Sequence, residues 1–111
     1  MLFLIVNIDK PGRNDVRLAN RPAQHDYIEQ FRDRIVFAGP TVTEDGSMST
    51  GNMFVFEAGS YDEVLAFTRG DPYFKAGLFD TTLIRPWRWT FNMPADSPEA
   101  PAERRNEEAR A

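Results

Sequence analysis

Leu2-Phe3-Leu4-Ile5-Val6-Asn7-Ile8 is the stretch from which the architecture of this chain is read. Side chains alternate across a strand, so Leu2, Leu4, Val6 and Ile8 share one face while Phe3 and Ile5 occupy the other. Both faces are apolar. A strand with one wet side shows polar residues there, so this one expects cover from both directions. Lys10-Pro11-Gly12 breaks it.

Working outward, residues 14–20 read either as loop or as an irregular helical lead-in. A helix is expected from Pro22, a residue well placed in a first turn, to about Asp33. Ile28, Phe31 and Ile35 form its apolar stripe. Ile35-Val36-Phe37-Ala38 reads as a second strand ending at Gly39-Pro40, and Glu44-Asp45-Gly46-Ser47 as a turn. Residues 52–57 alternate as a third strand, Phe54 and Phe56 opposing Met53 and Val55. Ser60-Tyr61-Asp62-Glu63 is a capping box that opens a second helix running to about Arg69. After the Gly70-Asp71-Pro72 break, a short helical piece covers 72–78. Thr81 to Phe91 reads as a fourth strand, which Pro86 marks as an edge strand.

The order strand, helix, strand, strand, helix, strand predicts an α+β, ferredoxin-like βαββαβ domain. Its four-stranded antiparallel sheet carries both helices on one side. The other side is then bare yet apolar, which calls for a partner. A homodimer with the two sheets face to face is the expectation.

Composition narrows the classes. At 111 residues and 41% hydrophobic the chain is one globular domain. A net charge of -4 argues against duplex nucleic acid and anionic membrane as main partners. Without cysteine there is no disulfide, thiolate nucleophile or thiolate metal site, which fits a reducing compartment. The apolar start is too short for a membrane span and lacks the pattern of a leader, so a soluble cytoplasmic protein is expected. Residues 1–91 hold the domain. Residues 92–111 carry three of the 8 prolines and no aromatic residue, and read as a disordered tail.

One histidine and scattered carboxylates give no metal-ligand spacing, and no glycine-rich phosphate loop is present. Neither metal nor cofactor is expected. Arg85-Pro86-Trp87-Arg88-Trp89 interleaves basic and aromatic residues in the manner of single-strand nucleic-acid binders. Trp87 and Trp89 share a strand face with Leu83 and Phe91, however, so core or dimer packing is the better reading.

His25 is the only histidine. Imidazole is the side chain whose ordinary pKa lies near neutrality, so it is the first candidate for proton transfer. Several motifs follow in order. They are Arg21-Pro22-Ala23…His25, Phe37-Ala38-Gly39-Pro40, Asp45-Gly46-Ser47, Gly70-Asp71-Pro72-Tyr73…Ala76-Gly77-Leu78-Phe79 and Ile84-Arg85-Pro86-Trp87. Over residues 1–91 this set resembles the YciI-like family, whose members form the dimeric α+β barrel version of the ferredoxin-like fold. The family more often carries its histidine directly after Arg-Pro-Ala; here Gln24 intervenes. The resemblance implies a His-Asp active-site pair at His25 and Asp71. It also implies acid–base chemistry on small ring compounds, since one related enzyme removes chloride from a hydroxylated chloro-aromatic.

The residues have structural readings beside these. On a helix beginning at Pro22, His25 lies about 60° from Ile28, where the positive helix end favours a neutral base. Asp71 before Pro72 is also a helix N-cap, and a carboxylate has enough lone pairs for both tasks. Arg21 is a surface arginine or an anion contact. Gly39 and Pro40 end a strand or let a ligand approach the backbone. Ser47 serves its turn or a ligand, and Tyr73 is a packing residue, a pocket wall or a phenol donor. With the resemblance, these residues imply a cofactor-independent acid–base enzyme, lyase-like or isomerase-like, acting on a small cyclic or aromatic metabolite. The alternative is a non-catalytic binding or interaction module, because one fold hosts many functions.

Overall fold

A computed structural model describes residues 1–95 of the chain. Its elements are β1 (Leu2–Asp9), α1 (Asn14–Glu29), β2 (Ile35–Val42), β3 (Ser49–Glu57), α2 (Tyr61–Gly70), α3 (Pro72–Lys75) and β4 (Phe79–Trp87). The strands form one antiparallel sheet in the order β2-β3-β1-β4. This is the expected ferredoxin-like βαββαβ arrangement, with α3 as a short addition before the last strand. The expectation for residues 96–111 lies outside the described residues.

β1 is central because both of its faces are apolar. Register pairs Phe3 with Phe56 and Ile5 with both Phe54 and Ile84, which builds the helix-facing side of the core. Phe67 of α2 is the hub of that side. It stacks on Phe56 at 4.2 Å and meets Phe31 and Phe54 edge-on at 4.8 and 5.4 Å. Such offset and edge geometries add to the burial of each ring. Tyr27 of α1 lies against Phe67 and donates its hydroxyl to the Phe67 carbonyl at 2.8 Å. A side chain at Gly70 would collide with that same hydroxyl, so the close approach of α1 and α2 needs glycine there.

The helices differ in how legible they are. α2 starts as read, Ser60 accepting the Glu63 N–H while the Glu63 carboxylate takes the Gly59 N–H. α1 does not: it begins at Asn14, eight residues before Pro22 by number, and ends at Glu29 rather than Asp33. Pro22 sits inside the helix on its exposed side. The carbonyl left without its N–H, that of Leu18, belongs to a residue that faces solvent.

The strands carry further corrections. β2 does not stop at Gly39-Pro40 but runs to Val42, with Gly39 opposite Met53 and Pro40 opposite Asn52. It is an edge strand, where a missing N–H costs the sheet no ladder bond. β3 begins three residues earlier than expected, at Ser49, and β4 covers Phe79–Trp87 rather than Thr81–Phe91. β4 is an edge strand, as Pro86 indicated. α3 is a single turn, closed where the Leu78 N–H reaches the Tyr73 carbonyl at 3.1 Å.

The sheet face away from the helices stays partly open. Ile8, Leu83 and Phe37 are 50%, 38% and 39% exposed on it. At its other end Trp89 packs against Phe37 and Trp87 with ring centres 5.5 and 5.6 Å apart. Among the described residues no helix is long and apolar enough to cross a membrane.

Candidate active site

The site begins with the face that α1 turns inward. Arg17, Asn20, Gln24, Tyr27, Ile28 and Phe31 follow one another three, four or one residue apart, so they line one side of a helix. The stripe is polar in its first half and apolar in its second. Its first half lies over the end of β1, where Asp9 receives Arg17 in a two-pronged ion pair. Nε and Nη2 donate to the two carboxylate oxygens at 2.8 and 3.0 Å. The Arg17 guanidinium also stacks over the Tyr73 ring, 4.7 Å from its centre, a favourable cation–π placement. Burial opposes the charge of Arg17, but the hydrogen bonds and charge of Asp9 more than reverse that and hold its pKa above the ordinary value.

Asp71 caps α3 from beneath this group. Its Oδ1 accepts the Tyr73 N–H at 2.8 Å, and the residue is buried. Burial pushes its carboxyl pKa up. The Tyr73 N–H, the Gln24 side-chain amide, the charge of Arg17 and the Phe74 N–H all pull it back. Tyr73 is likewise buried, and burial pushes its phenol up while the charges of Arg17 and Arg21 draw it down. The phenol is therefore held protonated and remains a hydrogen-bond donor at neutral pH.

Between α1 and the β2–β3 edge lies a cleft of about 560 Å³, room for one substituted ring. Arg21, His25, Gly39, Pro40, Ser47 and Tyr73, all singled out in the sequence, line it. Asp71 does not line it; the carboxylate lies behind Gln24 and Tyr73. The side chain that reaches Asp71 is that of Gln24, so the direct His25–Asp71 pairing is not the arrangement found. The reason is helical phase. Gln24 falls on the inward stripe and is 6% exposed, whereas His25, 100° further round, stands exposed on the cleft wall. Because α1 starts at Asn14, His25 lies in its third or fourth turn, away from the helix N-terminus where a start at Pro22 would place it.

Ser47 supports its turn as well as facing the cleft. Asp45 Oδ1 accepts the Thr43 hydroxyl at 2.7 Å, the Ser47 N–H at 3.0 Å and the Ser47 hydroxyl at 2.7 Å. The Thr43 hydroxyl first, then the two Ser47 donors, hold the Asp45 pKa down at about 2. Arg17, Gln24 and Asn52 are site residues that the sequence reading passed over. A signal for Arg17 existed in its spacing, four before Arg21 and seven before Gln24. Asn7 and Asn52 were visible as polar breaks in otherwise apolar strand faces. Among the described residues no group of three or more His, Asp or Glu side chains is placed to hold a metal ion.

An antiparallel sheet under two helices, with an ionisable cleft along α1, places the molecule in a known class. The YCII-related domain model matches residues 1–88, and the chain belongs to that family. Protein YciI of Escherichia coli O6:H1 is 29% identical over 98 residues, covering 82% of this chain and 100% of that protein. Protein YciI of Shigella flexneri matches with the same figures. Among solved structures, the 5-chloro-2-hydroxyhydroquinone dehydrochlorinase TftG of Burkholderia phenoliruptrix AC1100 is 40% identical with a TM-score of 0.75. The match covers 79% of this chain and 94% of that one, and that structure is a complex with 2,5-dihydroxybenzoquinone.

Proposed function

We propose that this protein is a cofactor-independent lyase-type enzyme acting on a hydroxylated six-membered ring bound in the α1 cleft. The observation that carries the reading is a ring-sized cleft bordered by two guanidinium groups, a phenol and the only histidine. Likeness to a dehydrochlorinase of a chlorinated hydroxyhydroquinone supports it. Arg17 and Arg21 place positive charge near Tyr73, and an ionised hydroxyl or an enolate-like ring oxygen bound there gains from it.

Elimination of hydrogen chloride from such a ring balances without an external oxidant. Two hydroxyl protons leave, one proton is delivered to the ring carbon that bears chlorine, and chloride departs with the C–Cl electrons. A hydroxyquinone remains. One hydroxyl proton passes to water; for the other, one group that takes it from oxygen and returns it to carbon suffices, and an imidazole does both near neutral pH. His25 fills that role from the cleft wall. Asp71 acts at one remove, holding Gln24 and the Tyr73 backbone so that the back of the cleft keeps its shape.

The test is chloride release from 5-chloro-2-hydroxyhydroquinone. Wild-type protein is expected to release chloride, and His25→Ala to lose at least about a hundredfold in turnover while keeping its fold. Undiminished turnover in His25→Ala overturns the role of His25, and no turnover or binding in the wild type overturns the substrate class.

We also propose that a second copy covers the open sheet face. Ile8, Leu83 and Phe37 lie exposed on that face of central and edge strands, as an apolar dimer contact requires. Sedimentation at micromolar concentration is expected to give twice the chain mass; a monomer contradicts it.

A further inference from the structure

A row of polar side chains crosses the helix-covered face of the sheet and ends at the cleft. β4, β1 and β3 lie side by side, and register places Thr82 opposite Asn7 and Asn7 opposite Asn52. The Thr82 hydroxyl donates to Asn7 Oδ1 at 2.7 Å, and Asn7 Nδ2 donates to Asn52 Oδ1 at 2.8 Å. Asn7 is 2% exposed and Asn52 6%, so both amides are taken almost wholly out of water.

The bonding leaves one atom over. Asn52 Oδ1 is occupied by Asn7, while Asn52 Nδ2 has no hydrogen-bond partner among the described residues. Nor is that nitrogen sealed inside the protein, for it is not among the buried polar atoms that lack a partner. Asn52 borders the cleft, so its two N–H groups open into it. A donor already fixed by its bond to Asn7 and turned into the cleft exchanges water for a ligand oxygen without first having to be ordered. The close strand contact that holds the row together is tight enough that any side chain at Gly51 would strike the Asn7 carbonyl.

We infer that Asn52 is a ligand-binding residue, a fixed N–H donor for an acceptor oxygen of the ring, with Asn7 and Thr82 as its positioning residues. The inference rests on the ring-ligand reading above and adds to it which chemistry the ligand turns toward the sheet. That group is a carbonyl, carboxylate or phenolate oxygen; a neutral hydroxyl directed to donate finds no acceptor at Nδ2. Selectivity follows, because a site built around a buried hydrogen bond rejects an analogue that cannot complete it far better than an apolar pocket rejects one extra group.

The experiment titrates 2,5-dihydroxybenzoquinone and, separately, benzoate into the protein. It follows the Asn52 side-chain amide signals by NMR and the affinity by calorimetry. Binding of either probe is expected to move the Asn52 Nδ2 signals. Asn52→Asp keeps an acceptor for Asn7 but turns an oxygen toward the ligand, and is expected to weaken binding about tenfold or more. Thr82→Val is expected to broaden the Asn52 signals and weaken binding by less. Thr82→Ser, which restores the hydroxyl, is expected to recover both, a rescue that a purely structural role for Thr82 does not predict. Should Asn52→Asp not fold, the wild-type signals and the Thr82 pair carry the same test. Probe binding with unmoved Asn52 signals and unchanged affinity in the variants overturns the inference and leaves the ring-ligand reading standing. Benzoate binding with moved Asn52 signals, but no binding of the quinone, supports the inference and overturns the proposed substrate class. Failure of both probes to bind overturns both.

Discussion

Phe56 and Asn52 lie four residues apart on β3 and face the same side of the sheet, yet their surroundings are opposite in kind. Phe56 is fully buried and stacked on Phe67, inside a layer of Phe3, Ile5, Phe54 and Phe31. Asn52 is nearly as buried, but its neighbours are Asn7, the row to Thr82 and the cleft under Arg17 and Gln24. The same division runs along β1, from Phe3 and Ile5 to Asn7 and Asp9, and along α1 in reverse, from Phe31 and Ile28 back to Gln24 and Arg17. One end of the layer gains its stability from apolar burial. At the other, each polar group is held by a named partner, and the atoms left over face a ligand-sized space. The fold divides one layer between the two tasks.

The division can be broken from the apolar end with the largest effect. Phe56→Ala removes a fully buried ring in contact with Phe67, and is expected to cost about 3–5 kcal/mol in denaturant unfolding. That loss threatens the fold itself, and ligand binding falls only as the folded fraction does.

At the polar end the first target is the pair that anchors α1 to β1. The Arg17 and Asp9 side chains are only 8% and 10% exposed, so Arg17→Met leaves a buried carboxylate unpaired. The expected cost is about 3 kcal/mol, and Asp9→Asn added to Arg17→Met should return part of it, because the orphan charge is gone. A double variant as unstable as the single one breaks the account of that pair.

The smallest effect belongs to Asp71. Its folded pKa is raised by burial, so the native state holds this proton more tightly than the unfolded chain does. The sign follows from proton linkage. Stability contributed by the protonated form is present below the ordinary carboxylate value of 3.8 and is lost as pH rises through the raised native value. Asp71→Asn keeps a good N-cap, so at neutral pH it is expected to change stability by less than about 1 kcal/mol. It is also expected to flatten the fall in stability above pH 3.8. A steeper fall in the variant contradicts the assignment, and thermal melts across the acid range decide it.

How much of this was legible in the sequence divides along the same line. Apolar alternation at Phe54 and Phe56 and the capping box at Ser60 and Glu63 marked the well-packed end, since burial and capping leave a period in the residues themselves. The first turns of α1 stayed open between loop and helical lead-in because their inward residue, Arg17, is charged, and its partner Asp9 sits across a loop on another element. Pro22 gave the impression of a helix start although it stands on the exposed side of a helix already formed. Pro40 suggested a strand end, because nothing local says that β2 is the sheet edge. The cleft was largely legible: Arg21, His25, Gly39, Pro40, Ser47 and Tyr73 all line it. Partner choice within it was not, since a single residue of offset turns a helix by 100° and exchanges His25 for Gln24 against Asp71.

The central claim is that the polar end of this layer is a binding site for a hydroxylated ring, and a crystal structure of the protein with 2,5-dihydroxybenzoquinone tests it most directly. The account predicts the ring between α1 and β2, with one oxygen against Asn52 and His25 beside it. A ring bound on the opposite sheet face, or a cleft left empty at saturating ligand, contradicts it.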